Sequence, residues 1–164
     1  MKNKTLFITR AAIIAALYFV LAWASQALGL ASGAIQVRIS EGLCILPLFT
    51  PAAIPGLFIG CILFNFTSGC MLLDVIFGSL ATLLGALGTR YLSKKNRFIG
   101  IIYPILANGI IVPLVLKYVY MLDDAVWFLF LTVTAGEIIS VGVIGLLLYP
   151  LFNKFKTQLF GSNE

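Results

Sequence analysis

Residues 71–97 read MLLDVIFGSLATLLGALGTRYLSKKNR, an apolar run that holds one acid, Asp74, and one base, Arg90, before it ends in a cluster of cations. A helix needs about 20 mostly apolar residues to cross a hydrocarbon core of about 30 Å. Residues 71–92 are long enough, and Ser93-Lys94-Lys95-Asn96-Arg97 closes them as a polar loop. The stretch is therefore a membrane helix with a basic end.

Working outward, the same pattern recurs. Residues 6–28 form an apolar run opened by Thr5 as an N-cap and followed by the small-residue loop 29–33. Residues 39–49, too short to cross unaided, and 52–66 flank the Thr50-Pro51 turn as two short helices, the second kinked by Pro55. Residues 98–119 carry Pro104 and Pro113, of which Pro113 removes a backbone donor and bends the helix. Residues 125–151 follow Asp123-Asp124 and precede Lys154 and Lys156. The expectation is an all-α membrane protein, one integral membrane domain over residues 1–164, with six transmembrane helices.

Composition agrees. Of 164 residues 61% are hydrophobic and only 10% charged, against roughly 25% charged in an ordinary globular domain. Six spans leave only short connectors, which excludes a separate soluble catalytic domain. The net charge of +5 comes from Lys and Arg beside apolar runs, so it reports topology and not nucleic acid. Six crossings gather Lys2, Lys4, Arg10, Arg90, Lys94, Lys95, Arg97, Lys154 and Lys156 on one side and Asp123 and Asp124 on the other, with Arg38 and Lys117 as exceptions. The positive-inside rule then makes both termini cytoplasmic. Ala22-Trp23-Ala24 imitates a signal-peptide cleavage site, but the run before it is long enough to remain as a span.

Catalysis is a poor fit. There is no His, few acids can face a cavity, and no GxxxxGK[ST] loop is present to bind ATP. Cys44, Cys61 and Cys70 lack metal-ligand spacing and read as packing. A charge at the bilayer centre costs about 2.5–3.5 kcal/mol on insertion scales, so intramembrane polar groups are candidate sites. Glu137 is the deepest acid, sharing a face with Phe130, Thr134 and Ser140 at helical steps. Asn108 is equally deep, either binding a ligand with Glu137 or simply satisfying it. Arg38 and Glu41 begin the second helix at the outer side, as ligand contacts or as an interfacial ion pair; Asn65 ends the third helix at that level. Asp74, in a first helical turn, is a helix-dipole partner or a binding group. Gly78, Ala81, Gly85 and Gly88, and Gly56 with Gly60, are small-residue packing faces. So are Ala11 with Ala15 and Ala12 with Ala16, either internally or as a docking face for another membrane protein.

The segments Val37-Arg38-Ile39-Ser40-Glu41-Gly42-Leu43, Leu46-Pro47-Leu48-Phe49-Thr50-Pro51 and Leu73-Asp74-Val75-Ile76-Phe77-Gly78-Ser79-Leu80-Ala81-Thr82 resemble the QueT family, with Gly42 where its pattern has Ala. The resemblance implies a substrate-binding S component of an energy-coupling factor (ECF) transporter that takes up a precursor of the modified base queuosine. It implies six helices, cytoplasmic termini, and an AxxxA-type face, here Ala11, Ala12, Ala15 and Ala16, that meets the transmembrane coupling subunit. Two partner ATPase subunits supply the energy, and no cofactor is expected.

For a 7-deazaguanine such as the nitrile or aminomethyl precursor, or queuine, a carboxylate suits the adjacent N1–H and exocyclic amine. Glu137 takes that edge, Asn108 or Asn65 the carbonyl and ring N–H, and Phe130 or Trp127 the stacking face. An aminomethyl cation would pair with Glu41 or Asp74. The alternatives are an S component for another vitamin-like micronutrient, a proton-coupled carrier using Glu137, and a membrane scaffold or assembly subunit. A scaffold has no need of an acid among polar residues at mid-membrane.

Overall fold

The structure is a computed structural model describing residues 2–31, 35–92 and 97–160. Ser32 and Gly33 of the first loop, and the polar loop residues Ser93, Lys94, Lys95 and Asn96, lie outside the described residues, as do the side chains of Lys2 and Arg97.

Apolar runs become helices close to where the sequence puts them. They are α1 (Lys2–Ala27), a 3₁₀ helix (Ile39–Leu48), α2 (Ala53–Thr67), α3 (Leu72–Leu92), α4 (Arg97–Tyr118), α5 (Val126–Glu137), a π-helical segment (Ile138–Ile144), α6 (Gly145–Lys154) and the short α7 (Lys156–Phe160). From α5 through α6 the chain is continuous, giving one run over Val126–Lys154; with Lys4–Ala27, Leu72–Leu92 and Phe98–Tyr118, four helices are long and apolar enough to cross a membrane. Ile39–Leu48 and Ala53–Thr67 are apolar but shorter. Helix α4 continues through both Pro104 and Pro113.

Polarity runs inside out. Ile8, Val20, Phe66, Leu72, Leu131 and Leu147 are exposed, while Ser25, Glu41, Asn65, Thr82, Thr89, Asn108 and Ser140 are buried. Water would not tolerate so much exposed apolar surface, whereas lipid does and drives the few polar groups inward.

Helix directions follow from where glycines let neighbours touch. A Cβ on Gly56 would lie 2.8 Å from the Ala11 carbonyl, and one on Gly60 2.8 Å from that of Ala15, so early α2 meets early α1 and the two run parallel. Returning the chain between them is the work of the 3₁₀ helix. Its residues 40–47 are buried, and its far end is held by Arg90, whose guanidinium donates to the Pro47 carbonyl (3.2 Å). At Gly42 a Cβ would stand 2.8 Å from Ile144 Cγ2, so glycine suits the place where the family pattern has Ala. Helices α3 and α4 are antiparallel: Gly85 abuts Pro104, Gly88 abuts Tyr103, and the Thr89 hydroxyl donates to the Gly100 carbonyl (2.8 Å). Beyond Leu48, Phe49 packs on Tyr149, Phe152 and Phe160. This aromatic knot ties α6 and α7 to the end of the bundle opposite Asp74 and Tyr120.

Candidate functional site

Between α1 and the 3₁₀ helix, the chain at Arg38 is extended (φ −111°, ψ 108°) and hangs from three bonds. The Val37 amide donates to the Leu30 carbonyl (2.8 Å), that of Arg38 to Ser140 Oγ (3.0 Å) and that of Ile39 to Ser25 Oγ (2.8 Å). Gly136 makes the approach possible, since a Cβ there would collide with the Gln36 carbonyl. Two serine hydroxyls from different helices thus fix where Gln36 and Arg38 enter the bundle.

Beneath this segment lies a cavity of about 20 Å³, lined by Gln36, Arg38, Glu41, Asp74, Gly78, Thr82, Asn108, Val112, Val133 and Glu137. That is room for about one water. Five of the residues proposed from sequence to bind substrate, drawn from four different elements, converge here: Arg38, Glu41, Asp74, Asn108 and Glu137. Glu137 ends α5 at the point where the helix widens into its π segment, a distortion that recurs at functional sites. Asn108 Nδ2 donates to Glu137 Oε2 (3.2 Å), so the pair satisfies itself and faces the cavity at the same time.

Glu41 is 2% exposed, not interfacial as an ion pair with Arg38 requires. The Tyr18 hydroxyl donates to its Oε1 and Cys44 Sγ to its Oε2 (3.1 Å). The Arg38 guanidinium instead lies over the Phe64 ring, 6.0 Å from its centroid. Asp74 stands in the first turn of α3 and lines the cavity. Its Oδ2 accepts from the Tyr120 hydroxyl (2.8 Å), which itself accepts from the Met71 amide (3.2 Å). Burial first, and then the Asp74 carboxylate beside it, raise the Tyr120 phenol above the ordinary tyrosine range, so it stays a donor at neutral pH. Asn65 stands behind the Gly78 wall, 1% exposed, with Nδ2 3.5 Å from Cys61 Sγ.

Outside the inner cavity are two larger ones, of about 280 Å³ and 260 Å³. The first shares Gln36, Arg38 and Asp74 with the inner cavity and adds Gln26, Phe64, Ser68 and Tyr120; the second is walled by Leu116, Phe128, Leu129 and Thr132. Gln36 lines all three. Lys117 holds the roof over them, donating to the carbonyls of Leu122 (2.8 Å) and Asp124 (3.1 Å).

Trp127 and Phe130 line none of these cavities. Trp127 is 67% exposed and packs edge-on against Phe128, while Phe130 is half-buried. Of the expected stripe only Glu137 lines the inner cavity: within regular α5 Thr134 turns to Gly109, 2.8 Å from where a Cβ on that glycine would be, and in the π segment that follows Ser140 turns to the Arg38 amide. The aromatic surfaces that do face the cavities are Phe64, Tyr120 and Phe128. Sequence reading also missed Gln36, Thr82 and Tyr120; Gln36, the polar residue preceding the Val37–Leu43 motif, and Thr82, which closes the Leu73–Thr82 motif, carry a visible signal.

The alanine faces of α1 divide. Ala11 and Ala15 are buried against Gly56 and Gly60 of α2, an internal contact. Ala12 and Ala16, one residue further on, are exposed. Among the described residues no group of three His, Cys, Asp or Glu is placed to hold a metal ion.

Residues 8–154 match the protein family described as QueT transporter. Over 83 residues, 51% of this chain, the sequence is 40% identical to the queuosine precursor transporter QueT of Lactococcus lactis subsp. cremoris (strain MG1363). The match spans about half the length of that relative, 48%. No solved structure matches the chain.

Proposed function

The chain belongs to the QueT transporter family and is a multi-pass membrane protein; from that premise we propose that it is the S component of an ECF transporter that captures a queuosine precursor, a 7-deazaguanine, at its outer face. The observation that carries the reading is the meeting of Arg38, Glu41, Asp74, Asn108 and Glu137 at one internal cavity beneath a wider outer one. A scaffold has no use for three carboxylates and a guanidinium brought together inside a bilayer, where each costs free energy.

In this reading Glu137 accepts the N1–H and exocyclic amine of the base and Asn108 serves its polar edge, while Phe64, beside Arg38, offers the stacking face. The inner cavity has room for one water, so a base is accommodated only when the segment carrying Gln36 and Arg38 moves and the inner and outer cavities merge. Six crossings with cytoplasmic termini fit the parallel run of α1 and α2, which needs the 3₁₀ helix as the return crossing. The chain has no P-loop; two ATPase subunits and a membrane coupling subunit provide the energy.

The test is calorimetric titration of the detergent-purified chain with the nitrile and aminomethyl 7-deazaguanines and queuine, with riboflavin as control. A deazaguanine is expected to bind saturably with Kd of about 1 µM or tighter, equivalent to about −8 kcal/mol, and riboflavin not at all. A folded chain that binds none of the deazaguanines sinks the assignment. Docking is tested separately: Ala12→Trp with Ala16→Trp is expected to abolish uptake into cells and leave binding intact, because both positions face outward. Unimpaired uptake by that variant would place the coupling subunit elsewhere.

A further inference from the structure

We propose that the site selects a cationic cargo, Asp74 receiving an ammonium group carried by the 7-deazaguanine; this rests on the deazaguanine reading above. The inner cavity gathers three carboxylates, Glu41, Asp74 and Glu137, around one guanidinium, Arg38. Their surroundings differ. Both oxygens of Glu41 are taken, by Tyr18 and Cys44, and Glu137 is held by Asn108 deeper in the bundle. Asp74 alone of the three lines both the inner cavity and the 280 Å³ outer one, on the path by which a cargo arrives.

The two oxygens of Asp74 are placed for different tasks. Oδ2 is fixed by Tyr120, which orients the carboxylate. Oδ1 faces a notch left by Gly78: a Cβ there would stand 3.2 Å from Asp74 Oδ1 and 3.2 Å from Asn65 Nδ2. A group with N–H donors arriving from the outer cavity can bond Asp74 Oδ1 while Oδ2 stays with Tyr120. An ammonium has three such donors.

Cargo chemistry completes the argument. With Glu137 holding the amine edge of the six-membered ring, the substituent of the five-membered ring is carried on the other half of the bicycle, toward Asp74. An aminomethyl group is protonated at neutral pH, donates to carboxylates and offsets the excess of acid. A nitrile nitrogen only accepts and meets Asp74 as a second acceptor.

The experiment is a competition titration of the detergent-purified chain with the aminomethyl and nitrile 7-deazaguanines, repeated with Asp74→Asn and with Tyr120→Phe. The wild-type chain is expected to bind the aminomethyl compound at least tenfold more tightly. In Asp74→Asn the ratio falls to near one, mainly through loss of aminomethyl affinity. Tyr120→Phe removes the bond that orients Asp74 but not its charge, and is expected to reduce the preference without abolishing it. Equal or tighter binding of the nitrile by the wild-type chain overturns the inference without recourse to any variant, as does a preference that survives in a folded Asp74→Asn chain. If both compounds bind without discrimination, only this inference falls; if neither binds, the deazaguanine reading falls with it.

Discussion

Glu137→Gln is expected to weaken deazaguanine binding at least a hundredfold, by about 2.7 kcal/mol at ~1.36 kcal/mol per tenfold, and to leave the helices intact. A carboxylate accepts from N1–H and the exocyclic amine together. The glutamine amide keeps the size but places a donor where one acceptor stood, so one buried donor of the base loses its partner. Hydrogen bonds to charged groups contribute about 1.5–3 kcal/mol, and sites built to bond a polar group reject mismatched partners steeply. Calorimetry measures the affinity and circular dichroism the helix content. Asn108 donates to Oε2 in the wild type and has an amide oxygen to meet in the variant, so folding should be spared. Wild-type affinity in Glu137→Gln would move the recognition of the base edge to another residue.

The largest effect on stability is expected at Gly85. A Cβ there would lie 2.6 Å from Pro104 Cα and 2.9 Å from its Cβ, and neither atom belongs to a flexible side chain that could swing away. Gly85→Leu forces α3 and α4 apart along their contact. Overpacking costs about 1–3 kcal/mol and sometimes more, while membrane helices rely on close approach for their association. A drop of about 10 °C in the midpoint of thermal unfolding in detergent is expected, taking ~2–4 °C per kcal/mol for a chain of this size. Gly142→Ala is the control: its Cβ meets only Ile138 Cγ2, at an ordinary 3.8 Å, and its midpoint should shift by no more than about 3 °C. Equal midpoints for the two variants would show that the α3–α4 contact does not limit stability.

The helix positions were legible because apolar length and proline placement are local properties. Pro51 ends one run, and the cations after residue 92 end another, whatever the tertiary structure. Acids and amides deep in apolar runs were legible too, since burial in lipid allows few reasons for Glu137 or Asn108. What could not be read was which way side chains turn. Within α5 Thr134 already turns to Gly109, and the π segment after Glu137 carries Ser140 to the backbone of Arg38, so a stripe drawn at three- and four-residue steps does not hold. Similarly, the 3₁₀ helix buried Glu41 under Tyr18, a partner 23 residues away that no local pattern announces. Trp127 has the ring that stacking needs, but only the packing of α5 shows that it points outward.

The 3₁₀ helix also sets a reading frame. With three residues per turn, side chains three apart are eclipsed, so Glu41, Cys44 and Pro47 form one column, with the Tyr18 hydroxyl at its top and the Arg90 guanidinium at its foot. One residue inserted between Glu41 and Pro47 would rotate everything below it by about a third of a turn, parting Arg90 from its carbonyl. Three inserted residues would restore the column but lengthen it by about 6 Å at ~2.0 Å per residue. Fixed top and bottom, the segment behaves as a gauge block whose length must equal the distance between its two anchors.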